Sequence, residues 1–214
     1  MLNQIRYMKK LNPKSIFNVS DTNHYEFLLG AHNLSQVPNY HYKEVAFIGA
    51  SNVGKSSIIN AVLGRKIAIV SNTPGRTRQL NFFKIADRFV LVDMPGYGYA
   101  KANDKDITHW QTLCFQYLAT RENLRIVFLL IDPIKGLKGG DCDMINFFDE
   151  AKIPFVIVMT KIDKISREIL AKAKDLIENE LKQYPTAYQQ SVATSSEKRY
   201  GINELQELII EAIS

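Results

Sequence analysis

Two stretches of this chain are almost uninterruptedly apolar, residues 126–131 and residues 153–159, the second with one proline inside. A strand that does not alternate polar and apolar residues has no face to give to water, so it must be covered by helices on both sides. Around these runs the pattern predicts strands at 44–48, 80–85, 88–92, 126–131, 154–159 and 189–193. Helices are predicted from Lys55 to about Leu63 and at about 105–121, 140–150, 166–183 and 202–213. Ala86-Asp87 joins the second and third strands as a β-hairpin. Strands alternating with helices imply a parallel sheet with right-handed crossovers. The expected fold is therefore a three-layer α/β domain with a six-stranded, mostly parallel sheet and one antiparallel edge strand. Residues 1–40 read as a poorly periodic lead-in with turns at Asn12-Pro13 and Val37-Pro38.

Composition removes other classes. The chain has 214 residues and two cysteines, Cys114 and Cys142, which make neither a disulfide framework nor a zinc site and read as small core residues. The apolar runs fall far short of the ~20 residues a spanning helix needs. The first twenty residues lack the apolar core of a secretory signal and carry Arg6, Lys9, Lys10 and Lys14 without an acid, which reads as a basic tail. Residues 1–100 are net +7 and residues 101–214 net −2, so an anionic partner would meet the N-terminal half.

The segment Gly49-Ala50-Ser51-Asn52-Val53-Gly54-Lys55-Ser56 fits G-x-x-x-x-G-K-[ST] between a predicted strand and a predicted helix. Gly49 and Gly54 allow tight turns and a close approach to a phosphate. Successive N–H groups and the helix N-terminus then surround the anion. Lys55 can reach the terminal phosphates, and the Ser56 hydroxyl can serve as a ligand of Mg²⁺.

Thr160-Lys161-Ile162-Asp163 follows the fifth predicted strand. An aspartate there accepts two hydrogen bonds from the N1–H and N2–H₂ edge of guanine, whereas adenine would leave the carboxylate unpaired. The Lys161 stem can cover the base. Thr194-Ser195-Ser196, after the sixth strand, can present backbone N–H to the guanine O6, although a plain β-to-α turn would have the same composition. Asp93-Met94-Pro95-Gly96 fits D-x-x-G: Asp93 can hold a Mg²⁺-bound water and the Gly96 N–H can sense a γ-phosphate. The loop before the hairpin contains Gly75-Arg76-Thr77-Arg78-Gln79, in which Thr77, rather than Thr73, is the expected second hydroxyl ligand of Mg²⁺. Loops of this kind are ordered by the γ-phosphate and Mg²⁺ and released after hydrolysis.

With these four motifs in order, the chain resembles the EngB family of TrmE–Era-like bacterial GTPases. The resemblance is carried by residues 44–49, residues 51–57, Pro74 to Phe83 and the run Asp93-Met94-Pro95-Gly96-Tyr97-Gly98-Tyr99-Ala100. It implies a P-loop NTPase of the Ras-like G-domain type over residues 24–214, with residues 1–23 as a tail without an assigned role. It also implies GTP and GDP as ligands and Mg²⁺ as cofactor. The further implication is a switch role in assembly of the large ribosomal subunit, needed for normal cell division and septation. A cytoplasmic monomer with no membrane or DNA partner is expected.

Small GTPases often carry a water-orienting glutamine after the glycine of D-x-x-G. Here that residue is Tyr97, which has no amide. Slow turnover, or a nucleotide-gated binding module with negligible hydrolysis, follows. Asn52 stands where related TrmE-like G domains use an asparagine to help hold K⁺, whose charge can replace an arginine finger. Lys55, Thr77 and Asn52 are thus the candidate catalytic residues. Arg65, Lys66, Arg76, Arg78, Lys84 and Arg88 form a basic group suited to RNA phosphates. Phe82, Phe83, Tyr97 and Tyr99 lie beside it, either to stack on bases or to fill the core.

Overall fold

The computed structural model describes residues 13–17, 25–37, 39–68, 79–97 and 104–214. Seven strands form one sheet in the order β1-β3-β4-β2-β5-β6-β7. They are β1 (Tyr25–Ala31), β2 (Lys43–Gly49), β3 (Leu80–Ile85), β4 (Phe89–Asp93), β5 (Leu124–Ile131), β6 (Phe155–Met159) and β7 (Val192–Ala193). The helices are α1 (Pro13–Phe17), α2 (Lys55–Leu63), α3 (Asp104–Thr120), α4 (Gly139–Glu150), α5 (Arg167–Leu181) and α6 (Ile202–Ile213).

The sheet is mostly parallel, with β3 antiparallel to both of its neighbours, β1 and β4. Two expectations change. The strand count is seven rather than six, because Tyr25–Ala31 pairs with β3. The antiparallel strand is consequently interior, not at the edge. Tyr25–Ala31 escapes a periodicity argument because its register shifts between Phe27 and Leu29, which breaks the alternation of faces. β7 keeps two of the five expected residues.

The central strands sort their side chains to two apolar layers. Val45, Phe47, Ile126, Phe128 and Val158 face α2 and α6; Ala46, Ile48, Val127, Leu129 and Ile157 face α3, α4 and α5. Phe47 and Phe128 stack across β2 and β5 with ring centres 4.8 Å apart. Ile16 and Phe17 of α1 are buried in the first layer, with the Phe17 ring edge-on to Phe89. Cys114 is buried, as expected of a small core residue, and Cys142 is partly buried.

Burial of a charge is tolerated where it is paired. Glu44, fully buried at the start of β2, accepts from the Tyr117 hydroxyl at 2.6 Å and from Arg121 at 2.7 and 2.8 Å. This joins the last turn of α3 to the amino end of the central strand. The carboxyl ends of β2, β4, β5, β6 and β7 lie on one edge of the sheet, where open α/β sheets form crevices. β2 lies between β4 and β5, and α2, which follows β2, packs on one face of the sheet while α3 and α4, which follow β4 and β5, pack on the other, which makes the end of β2 the topological switch point.

Candidate nucleotide site

Four loops meet at that edge. Residues 50–54 turn from β2 into α2. A side chain on Gly49 would put its Cβ 2.6 Å from the Leu130 carbonyl, so the strand-to-loop exit has room for glycine alone. Gly54 opens α2 at φ 107°, a left-handed conformation that favours glycine. No acidic residue lies in the first turn of α2, so its positive end is not neutralised from within the helix. Asn52 is also left-handed, at φ 64°, with an exposed side chain.

Lys55 and Asp93 are both buried and form an ion pair. Asp93 ends β4 directly opposite Phe47 of β2, which explains how a carboxylate 38 residues away reaches the helix start. The Lys55 charge also bears on Cys114, whose thiol is nevertheless pushed up to about 12 by burial. Ser56 follows Lys55 on α2 and is partly exposed. A Mg²⁺ ion keeps several waters and takes few protein ligands beside substrate phosphates. A hydroxyl such as that of Ser56 and a carboxylate such as that of Asp93 fit that ion by their chemistry.

Beyond Asp93, the chain runs along the phosphate loop. Met94 N–H donates to the Phe47 carbonyl at 3.0 Å, Tyr97 N–H to Gly49 at 3.3 Å, and Ser51 N–H to the Tyr97 carbonyl at 2.9 Å. Met94 and Pro95 are buried, and Gly96 is partly exposed. The Tyr97 hydroxyl donates to Asp141 of α4. Burial, with the neighbouring Asp141 charge, pushes the Tyr97 phenol well above its ordinary range.

On the other side of the switch point, the Thr160 hydroxyl donates to the Val53 carbonyl at 2.7 Å, tying the end of β6 to the phosphate loop. Lys161, left-handed at φ 57°, extends its Nζ to the Asn52 carbonyl at 2.8 Å and lies 3.9 Å from the Asp132 carboxylate. Ile162 N–H donates to the Thr194 carbonyl at 3.2 Å. Thr194 is itself fixed to Met159 by its N–H at 2.7 Å and its hydroxyl at 2.8 Å. Ser195 N–H goes to Tyr200, and its hydroxyl accepts from Lys198 N–H at 3.0 Å. These bonds hold Asp163 in a 3₁₀ turn with its carboxylate exposed and without a partner among the described residues. Ser196 N–H is likewise without a partner among them.

The structure thus brings together Gly49, Ala50, Ser51, Asn52, Val53, Gly54, Lys55, Ser56, Asp93, Met94, Pro95, Gly96, Thr160, Lys161, Ile162, Asp163, Thr194, Ser195 and Ser196 at one sheet edge. Gln79 bonds Asn81 at 2.8 Å and packs over Gly30. Gly75, Arg76, Thr77 and Arg78 lie outside the described residues, as does Tyr99. Two residues enter that the motifs did not flag. Asp132 directly follows β5 at the same edge, a position that could have drawn attention. Asp141 carries no local signal beyond a helix first turn.

Two members of the basic group are engaged within the chain. Lys84 is paired with Glu26 at 2.7 Å and Asp87 at 3.0 Å, and the Arg65 guanidinium lies over the Tyr25 ring at 5.3 Å. Phe82, Phe83 and Tyr97 are buried, so they fill the core rather than present rings to bases.

A crevice of this kind, with a phosphate loop, a D-x-x-G strand end and an aspartate-bearing turn, defines a guanine-nucleotide-binding P-loop domain. Residues 44–161 match the family described as 50S ribosome-binding GTPase. The probable GTP-binding protein EngB of Roseobacter denitrificans is 44% identical over 187 residues, 87% of each chain. That of Gluconobacter oxydans is 46% identical over 182 residues, 85% of this chain and 80% of the relative. This chain belongs to the EngB family of GTP-binding proteins. Among solved structures, Era in complex with MgGDPNP and nucleotides 1506–1542 of 16S ribosomal RNA superposes with a TM-score of 0.66 at 28% identity. That match covers 82% of this chain and 58% of the Era chain. The crystal structure of a probable GTP-binding protein engB, at 22% identity and TM-score 0.61, shares the fold over 79% of this chain and 98% of its own. No helix among the described residues is long and apolar enough to cross a membrane.

Proposed function

We propose that residues 24–214 form a G domain that binds GTP and GDP with Mg²⁺, hydrolyses GTP slowly, and acts as a switch in assembly of the large ribosomal subunit. Residues 49–56 surround the phosphates, Asp163 reads the N1–H and N2–H₂ edge of guanine, and Ser196 N–H meets its O6. Ser56 and Thr77 supply hydroxyls to the metal, which when bound neutralises charge on the transferred phosphate. The observation that carries the nucleotide reading is the bonded unit of Thr160, Lys161 and Thr194, which leaves the Asp163 carboxylate free beside the phosphate loop. The ribosomal part is supported by the matched family's description and by the rRNA bound to Era. Normal cell division and septation would depend on that assembly step. The protein works as a cytoplasmic monomer.

Asn52, exposed at the phosphate loop, contributes to a K⁺ site. GTP turnover is then faster in K⁺ than in Na⁺, and Asn52→Ala abolishes the difference. A second reading, a nucleotide-gated binding module with negligible hydrolysis, is favoured by Tyr97, whose hydroxyl is committed to Asp141. Co-sedimentation with purified ribosomal subunits tests the assignment. Binding to the large subunit with a non-hydrolysable GTP analogue, and not with GDP, is expected. Binding to neither subunit in any nucleotide state removes the ribosome from the assignment. Single-turnover hydrolysis with and without large subunits separates the two readings.

A further inference from the structure

Tyr97 is held from three directions. Its backbone extends the pairing of β2 and β4 past the strand ends, through Tyr97 N–H to Gly49 and Ser51 N–H to Tyr97. Gly96 is drawn so close that a Cβ there would stand 3.2 Å from the Gly49 carbonyl and from the backbone of Ser51. The ring of Tyr97 lies on Gly140, where a Cβ would come within 3.3 Å of it. The hydroxyl donates to Oδ1 of Asp141, which is 4% exposed. The other oxygen of Asp141 accepts from Lys138 N–H at 2.8 Å, capping α4. Both oxygens are therefore used, and the anchor is fixed by the helix it caps.

We propose that Asp141 is a positioning residue that latches Tyr97 and so holds residues 96–97 against the phosphate loop, setting the preference of the site for the diphosphate over the triphosphate. This rests on the guanine-nucleotide reading above. Gly96 packs closely on the loop backbone, and in this proposal the γ-phosphate takes its seat between them, so that the packing opens. Opening moves Tyr97 with it, because Tyr97 is the next residue and is bonded to the same loop. A buried phenol that leaves a charged carboxylate gives up a charge-assisted hydrogen bond and leaves a buried oxygen unpaired. The cost falls on the triphosphate state alone.

Tyr97→Phe tests this cleanly, since the ring keeps its packing on Gly140 and only the hydroxyl is lost. Affinities for GDP and for a non-hydrolysable GTP analogue are measured by fluorescent-nucleotide titration on the full chain. The ratio of analogue to GDP affinity is expected to rise about tenfold, the scale of one hydrogen bond to a charged group. Asp141→Asn should raise it in the same direction, and the double variant should go no further than Tyr97→Phe. A melting curve alone would not distinguish this from a structural role, whereas the affinity ratio does. An unchanged ratio in Tyr97→Phe overturns the latch while nucleotide binding stands. Strictly additive single effects overturn the pairing of the two residues. Failure of the unaltered protein to bind either nucleotide overturns the guanine-nucleotide reading, and the latch with it.

Discussion

Around β6 and β7 the framework satisfies its own polar groups and leaves the reading group over. Thr160, Lys161, Thr194 and Ser195 are all bonded to backbone, while the Asp163 carboxylate and Ser196 N–H are left for a ligand. Around β2 and β4 the groups suited to phosphate satisfy one another instead. Lys55 is paired with Asp93, and Tyr97 is tied to the phosphate loop and to Asp141. On the proposed reading, base recognition is preformed, whereas phosphate recognition requires an exchange of partners. A preformed site binds at little ordering cost. A site that must exchange partners can report which phosphate has arrived, since the two states differ in who is bonded to whom.

The sharpest way to break this contrast is at Lys55. Lys55→Met should weaken GDP and GTP binding about a thousandfold, the sum of two charge-assisted contacts at ~2 kcal/mol each. It should also destabilise the free protein by about 3 kcal/mol, because Asp93 is left buried and unpaired. Nucleotide titration and denaturant melts read the two effects separately; loss of binding without loss of stability would show that the ion pair contributes nothing.

At the preformed side, Asp163→Asn replaces two acceptors by one donor and one acceptor. Guanine binding should fall about a hundredfold while xanthine nucleotides gain, since xanthine offers one donor and one acceptor at that edge. Competition between GDP and XDP measures the change. Equal losses for both would mean that the aspartate shapes the loop and does not read the base.

These two positions also show what the sequence made legible. Lys55 and Asp163 stand in short motifs whose chemistry is local, and the parallel strands β5 and β6 announce themselves as apolar runs. The pairings that give the two sides their different character have no such signature. Lys55 reaches Asp93 across 38 residues, Tyr97 reaches Asp141 across 44, and Thr160 reaches Val53 across 107. Each depends on strand order, and strand order is a property of the whole sheet. β1 was illegible for a different reason: its register shift cancels the two-residue period by which a strand is recognised.

A smaller effect is expected at the seam between the two sides. Thr160→Val keeps the shape but leaves the Val53 carbonyl without its 2.7 Å bond. We expect nucleotide binding about fivefold weaker, with little discrimination between GDP and the triphosphate. A selective loss of triphosphate affinity would place this bond on the switching side instead.

The smallest predicted effect is a pH dependence. Burial raises the Cys114 thiol from 9.0 to about 12, and raises the Tyr97 and Tyr117 phenols above 10.0. These groups keep their protons in the folded chain at a pH where the unfolded chain has lost them. Their contribution is therefore full below the unfolded values and is lost as pH rises through the folded ones. Thermal stability should decline from about pH 9 upward, and Cys114→Ala should make that decline shallower, the Cys142 thiol being raised as well. An identical slope in the variant would acquit the Cys114 thiol.

The strand order also has a consequence for a chain emerging from the machine that makes it. β1 pairs with β3, and β2 pairs with β4 and β5, so neither early strand has a neighbour available when it first appears. The first pair that can close is β1–β3, complete at Ile85, and the β3–β4 hairpin and the β2–β4 pair follow, complete only at Asp93. Until then the apolar segment Val45 to Ile48 and the loop that follows it have no scaffold. Asp93, which completes that hairpin, is also the partner of Lys55. The same residue therefore ends the vulnerable interval of synthesis and settles the charge of the site it completes.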